Sequence, residues 1–237
     1  MNLRTVWGVA VREFGNYFVS PIAYGFLTIY LFLTGYFTSG LIVGSQRAEL
    51  SLYLMLFMLL FMTPLLTMRL ISDEHRQGTI EFVFTSPITG VEFVLGKFLA
   101  VLSIYGIALI FTLEFPLFLT IIGDPDLFVL GTQYLGLMLV GSSFLAVGLF
   151  FSCLTENQLI AAGSTFCVLL LLWVMSALKG MVPSSYGYIV EAFNVVKRIK
   201  NFQKGIVAGQ DVTFFLGSIV VFLSASVQYL NTRSWRQ

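Results

Sequence analysis

The sequence predicts an all-α membrane protein with six transmembrane helices, forming one unit over residues 1–237. Three observations carry that expectation. Hydrophobic residues make up 57% of the chain, charged residues only 11%, and the mean hydropathy is +0.90, whereas a soluble domain carries about 25% charged residues. The apolar residues gather in runs at about 22–44, 50–70, 98–122, 127–153, 158–178 and 212–230, each near the ~20 residues a bilayer-spanning helix requires. None of the runs alternates as a barrel strand does, so helices are the remaining way to satisfy the backbone in lipid.

Residues 2–19 precede the first run and read as an amphipathic helix in the membrane interface. Arg4, Gly8, Arg12 and Asn16 recur every four residues, while Trp7, Ala10, Val11, Phe14 and Phe18 fall on another face. Ser20-Pro21 ends it, because proline disfavours helix in the residue before it and suits the first turn of a new helix. The first run starts too late and is too long for a signal-peptide core, and Gly44-Ser45-Gln46-Arg47 follows it instead of a cleavage site.

Residues 71–97 connect the second and third runs. Ser72 is expected to cap a helix over 73–85 with Asp73 and Glu74 in its first turn, where the helix dipole favours them. On that helix Glu74, Gly78, Glu81 and Thr85 share a face, with Ile80, Val83 and Phe84 broadly opposite. Ser86-Pro87 stops it, and Thr89 with Glu92 forms a capping box that starts the third span. An acidic face backed by apolar residues suits docking to a soluble partner; an ordinary solvated loop is the alternative.

Glu114 is the one carboxylate deep in a span, about 24 Å along the third at 1.5 Å per residue, with Pro116 just after it. It is a candidate for substrate contact or gating, or a protonated or hydrogen-bonded packing residue. In the fourth run Gly131, Gly136, Gly141 and Gly148, with Ser142, Ser143 and Ala146, suit close helix packing. Segment 179–211 repeats Ile189, Phe193, Val196, Ile199, Phe202 and Ile206 at mostly helical spacings, with Lys197, Lys200 and Lys204 elsewhere on the turn. It reads as a re-entrant element lining an exit, or as a helix resting on headgroups.

Six spans put both termini on one side, yet loop charge scarcely says which. With the termini inside, seven positives, including Arg4, Arg69 and Arg76, oppose six, five of them in 179–211. Net charge near +1 suggests neither nucleic acid nor an acidic substrate. Catalytic chemistry finds no foothold. The single histidine, His75, reads as a solvated loop residue, Cys153 and Cys167 read as buried small hydrophobes, and no metal-ligand spacing occurs. The run Gly90-Val91-Glu92-Phe93-Val94-Leu95-Gly96-Lys97-Phe98 is not a phosphate-binding loop: five residues separate its glycines, and Phe98 stands where Ser or Thr must hold magnesium.

Several of these stretches resemble the permease subunits of ABC-2 type transporters, most closely the gliding-motility-associated permeases. The resemblance lies in Ser20-Pro21-Ile22-Ala23-Tyr24, Met68-Arg69, Asp73-Glu74, Gly78-Thr79-Ile80-Glu81, Thr85-Ser86-Pro87-Ile88, Leu95-Gly96-Lys97-Phe98 and Leu154-Thr155-Glu156-Asn157-Gln158. It implies an N-terminal elbow helix, a cytoplasmic coupling helix between spans two and three, an outer re-entrant segment, and both termini cytoplasmic in the inner membrane. It further implies a subunit that is not itself an enzyme. ATP and magnesium would be held by partner ABC ATPase subunits, the permease would pair with a second copy or a related chain, and transport would run outward. By this resemblance Asp73, Glu74, Gln77, Gly78, Thr79, Glu81 and Thr85 are expected to contact the ATPase, and Glu114, Phe193 and Phe202 are substrate-path candidates. The basic content of 195–204 departs from the family pattern. From the residues alone, an ATP-independent channel or secondary transporter, or a structural anchor of an envelope complex, stays open.

Overall fold

A computed structural model describes residues 2–45, 48–79, 88–122, 126–178 and 194–234. Every regular element among them is a helix: α1 Leu3–Val19, α2 Pro21–Ser45, α3 Ala48–Thr67, α4 Ser72–Gln77, α5 Gly90–Thr112, α6 Glu114–Ile122, α7 Leu127–Leu154, α8 Gln158–Leu178, α9 Val195–Gln203 and α10 Gly209–Ser234. Five stretches are long and apolar enough to cross a bilayer: Tyr53–Gln77, Gly90–Phe118, Leu127–Leu154, Gln158–Met175 and Gly209–Thr232. A sixth arises from the α1–α2 pair, whose axes meet at 73°. The chain is therefore an all-α membrane protein with five to six candidate spans.

The bend falls at Ser20-Pro21, where the sequence places it. Ser20 is extended, and its N–H closes the last turn of α1 on the carbonyls of Asn16 and Tyr17. The buried face of α1 is Val6, Val9, Ala10, Glu13 and Tyr17, whereas Trp7 and Val11 are exposed. The apolar residues thus divide into a stripe against the protein and a stripe left outward for lipid.

α7 is the centre of the bundle, with 72% of its apolar window buried, against 17% for α8 and 11% for α10. Its glycines explain how neighbours come so close. A Cβ on Gly136 would meet Phe202 of α9, on Gly141 the Tyr105 ring of α5, and on Gly148 the Thr67 side chain of α3, all under 3 Å. Gly131 differs: it is exposed, with nothing within 4 Å of a built Cβ, so it is not a packing position. Cys153 is buried, but Cys167 is exposed on the peripheral α8, contrary to the expectation that both are enclosed.

The third span is interrupted at Leu113, between α5 and α6. Pro116 has no N–H to offer the carbonyl of Thr112, four residues back. That carbonyl instead accepts a 2.7 Å hydrogen bond from the Tyr134 hydroxyl of α7. Tyr134→Phe is expected to cost about 1–3 kcal/mol by orphaning a buried acceptor. Adding Pro116→Ala, which restores an N–H, should recover part of the loss in thermal melts. Additive effects would show that the two residues are not linked.

Candidate functional site

The end of the bundle that carries both termini holds an unusually polar junction. Here α1, the α3–α4 turn, the start of α5, the end of α7 and the start of α8 converge. α4 is only six residues long and has no side-chain cap of its own. α7 supplies the missing partner: Ser152 Oγ accepts from the N–H groups of Ile71 and Ser72 at 3.0 and 3.1 Å and donates to the Met68 carbonyl. Ser72, expected as the cap, is instead the first helical residue, and its hydroxyl donates to the Met68 carbonyl. The helix expected over 73–85 stops at Gln77, because Gly78 is left-handed (φ 70°) and ends it.

Lys97 of α5 lies at the centre of the junction and is only 1% exposed. Its ammonium is 2.9 Å from Glu74 Oε1, 3.3 Å from Glu13 Oε2, and donates to the Leu70 carbonyl at 2.6 Å. Three donors thus meet three acceptors, the full capacity of an ammonium. The Phe93 ring lies 5.0 Å away. Arg12 adds a second cation, 3.1 Å from Glu13 and 4.0 Å from Glu74. Two cations and two carboxylates therefore tie α1, α4 and α5 together with no net charge.

The neighbouring contacts hold the same parts. Asn2 N–H donates to the Glu92 carboxylate, which also completes the capping box with Thr89, as the sequence predicts. Tyr17 Oη donates to the Leu66 carbonyl at 2.8 Å. Gly96 admits Val9 so closely that a Cβ there would lie 2.6 Å from Val9 Cγ1. On the far side, Arg69 Nε donates to Gln158 Oε1, and the Gln158 amide donates to Asp73. A cleft of about 660 Å³ opens beside α4, lined by Arg12, Asn16, Arg69, Asp73 and Gln77 among others. Among the described residues no group of three His, Cys, Asp or Glu is placed to hold a metal ion.

The sequence-derived contact residues separate under this geometry. Asp73 and Glu74 are half-buried and engaged within the chain, while Gln77 and Gly78 are exposed and Thr79 is half-buried. His75, expected in solvent, is buried. Glu81 and Thr85 lie outside the described residues. Among the path candidates, Glu114 is exposed at the start of α6, outside the packed core. Phe202 is fully buried between α7 and α10, its ring 6.4 Å from that of Phe215, and is a packing residue of this subunit. Phe193 lies outside the described residues.

Sequence reasoning missed Glu13, Lys97 and Arg12 as one unit. One signal for Glu13 was present: it falls on the same helical stripe as Val6, Val9, Ala10 and Tyr17, where a carboxylate needs a buried partner.

An all-helical bundle with several apolar spans and a clamped polar junction at the terminal end defines a multi-pass membrane protein. Residues 54–235, well over half of the chain, match the family described as ABC-2 family transporter protein. The chain belongs to that family. Its members are transmembrane permease subunits that work with ABC ATPase subunits. A comparison with curated proteins gives no match.

Proposed function

We propose that this chain is the permease subunit of an ATP-driven exporter, serving the cell envelope or gliding motility. A separate ATPase docks at the terminal end of the bundle, and that end faces the cytoplasm. ATP and magnesium belong to the ATPase, and a second permease, identical or related, completes the transport path. Glu114 and the segment containing Phe193 remain the substrate-path candidates.

The observation that carries the reading is the clamping of α4. A six-residue helix has no stability of its own, yet this one is held by Ser152, Gln158 and Lys97, from three different helices. Anything that pushes on its exposed residues therefore pushes on α1, α5, α7 and α8 together. The energetic requirement is linkage: the ATPase must bind two permease conformations with different affinity.

The clamp also decides which substitutions test docking. Glu74→Lys would place a cation beside Lys97 and disturb the permease itself. Gln77→Lys and Arg76→Glu alter exposed side chains of α4, and Glu81→Lys alters the sequence-derived acidic position beyond it. These three changes combined are expected to release the ATPase from detergent extracts, or to cut its stimulated hydrolysis at least about tenfold, the effect of ~1.4 kcal/mol, while the permease keeps its melting temperature. A cysteine at Gln77 should stay unlabelled by an impermeant thiol reagent on intact cells. Co-purification unaffected by the triple change would remove α4 from the docking site, and labelling at Gln77 would invert the topology.

A further inference from the structure

At the end of the bundle away from the termini, α9 is fixed in both position and roll. Its apolar face, Val195, Val196, Ile199 and Phe202, is buried against the bundle. Asn194 caps it by accepting from Lys197 N–H at 2.9 Å. Its far end is held by α7, where Thr132 and Gln133 donate to the carbonyls of Phe202 and Gln203. α10 completes the clamp. Asp211, 4% exposed, accepts from Arg198 at 2.9 Å and from Asn201 at 2.7 Å, and the Arg198 guanidinium lies 4.1 Å from the centre of the Phe214 ring.

Of the four basic residues on this segment, Arg198 is the one held by Asp211 of α10. Lys197, Lys200 and Lys204 are all exposed, at spacings of three and four that align them along one side of the helix. Directly beside them lie apolar side chains that also face outward: Leu127 and Phe128 at the start of α7, and Ile206 and Val207 just after α9, between 46% and 70% exposed. Gly205 brings the two groups together, its Cβ direction pointing at Val129 at 3.1 Å. An exposed apolar rim marks the edge of the hydrocarbon, and a row of ammonium groups next to it lies at headgroup level, where lysine stems bridge the two media.

We propose that α9 is a binding surface for anionic phospholipid headgroups, with the phosphates of the adjoining leaflet as partners of Lys200 and Lys204. The complementarity is of charge as well as depth: the row is cationic, Asp211 of α10 is occupied by Arg198 and Asn201, Asp126 is engaged as the cap of α7, and the bilayer supplies anions at that level. The inference concerns the molecule in a bilayer and does not depend on which side of the membrane this end faces.

The test uses the full-length chain in nanodiscs of phosphatidylcholine with and without phosphatidylglycerol. Mass spectrometry of the extracted protein should show phosphatidylglycerol retained over phosphatidylcholine. Each of Lys200→Gln and Lys204→Gln should lower that preference about fivefold, the effect of ~1 kcal/mol per basic residue at an anionic surface. The losses should shrink in high salt, and millimolar inorganic phosphate should not compete. Melting temperatures in phosphatidylcholine alone, unchanged by these exposed substitutions, show that the fold is intact. Equal retention by wild type and both variants overturns the proposal. So does acetylation protection of Lys200 and Lys204 that occurs in native membranes but not in phosphatidylglycerol nanodiscs, an outcome that assigns the surface to an acidic polymer or protein.

Discussion

Lys97→Met is expected to destabilise the protein by about 3–5 kcal/mol, the cost of leaving buried charge without its partner. The native ammonium satisfies Glu74, Glu13 and the Leu70 carbonyl at once while 1% exposed. Methionine fills much of the same volume but offers none of the three donors. Two carboxylates on different helices would then face each other with only the largely exposed Arg12 to oppose them, its side chain 62% accessible. Adding Glu13→Gln and Glu74→Gln to Lys97→Met should recover a large part of the loss, since a neutral junction has no charge to strand. Thermal melts of the three proteins in one detergent measure this. A single mutant as stable as wild type, or a triple mutant less stable than the single, would mean that the ion pairs do not hold α1 and α4 to α5.

Gly141→Ala should cost about 3 kcal/mol, from overpacking a tight core and breaking a buried hydrogen bond. The added methyl would lie 2.2–2.5 Å from Cε1, Cζ and Oη of Tyr105. Tyr105 is 1% exposed, and its hydroxyl reaches past the glycine to the Leu137 carbonyl, 2.8 Å away and one turn back on α7. The ring can clear the methyl only by giving up that bond. Tyr105→Leu removes the obstruction, so the double mutant should be more stable than the sum of the single effects implies. Strict additivity in the melts would separate the two positions.

Where the sequence was legible, the signal was periodicity or local chemistry. The apolar runs marked the spans, Ser20-Pro21 the bend, Thr89 and Glu92 the capping box, and the glycines of α7 three of its close approaches. These depend on residues near one another in the chain. The polar junction was not legible in the same way, because Glu13, Glu74 and Lys97 become neighbours only when three helices pack. A carboxylate in the first turn of a helix reads equally well as facing a partner protein or a lysine of its own chain. Gly78 fits one position on a continuous helical face with Glu74, Glu81 and Thr85, although glycine is also the commonest residue to end a helix. Phe202 fitted an amphipathic pattern, but periodicity alone does not say whether the apolar face meets lipid, a passage or the bundle. The lysines of 197–204 are legible as a polar side of the turn, whereas the commitment of Arg198 to Asp211 depends on the packing of α9 against α10.

α7 carries a mechanical consequence. Ser152, near one end, grips the backbone of the α3–α4 turn, and Thr132 and Gln133, near the other, grip the last carbonyls of α9. Twenty helical residues separate these grips, a strut of about 30 Å. Because α7 is one unbroken helix from Leu127 to Leu154, it transmits tilt with little internal give. Pivoted at one grip, a tilt of about 10° carries the opposite grip through about 5 Å, roughly one helical turn. The two surfaces of the molecule are thereby geared to each other through a single rod.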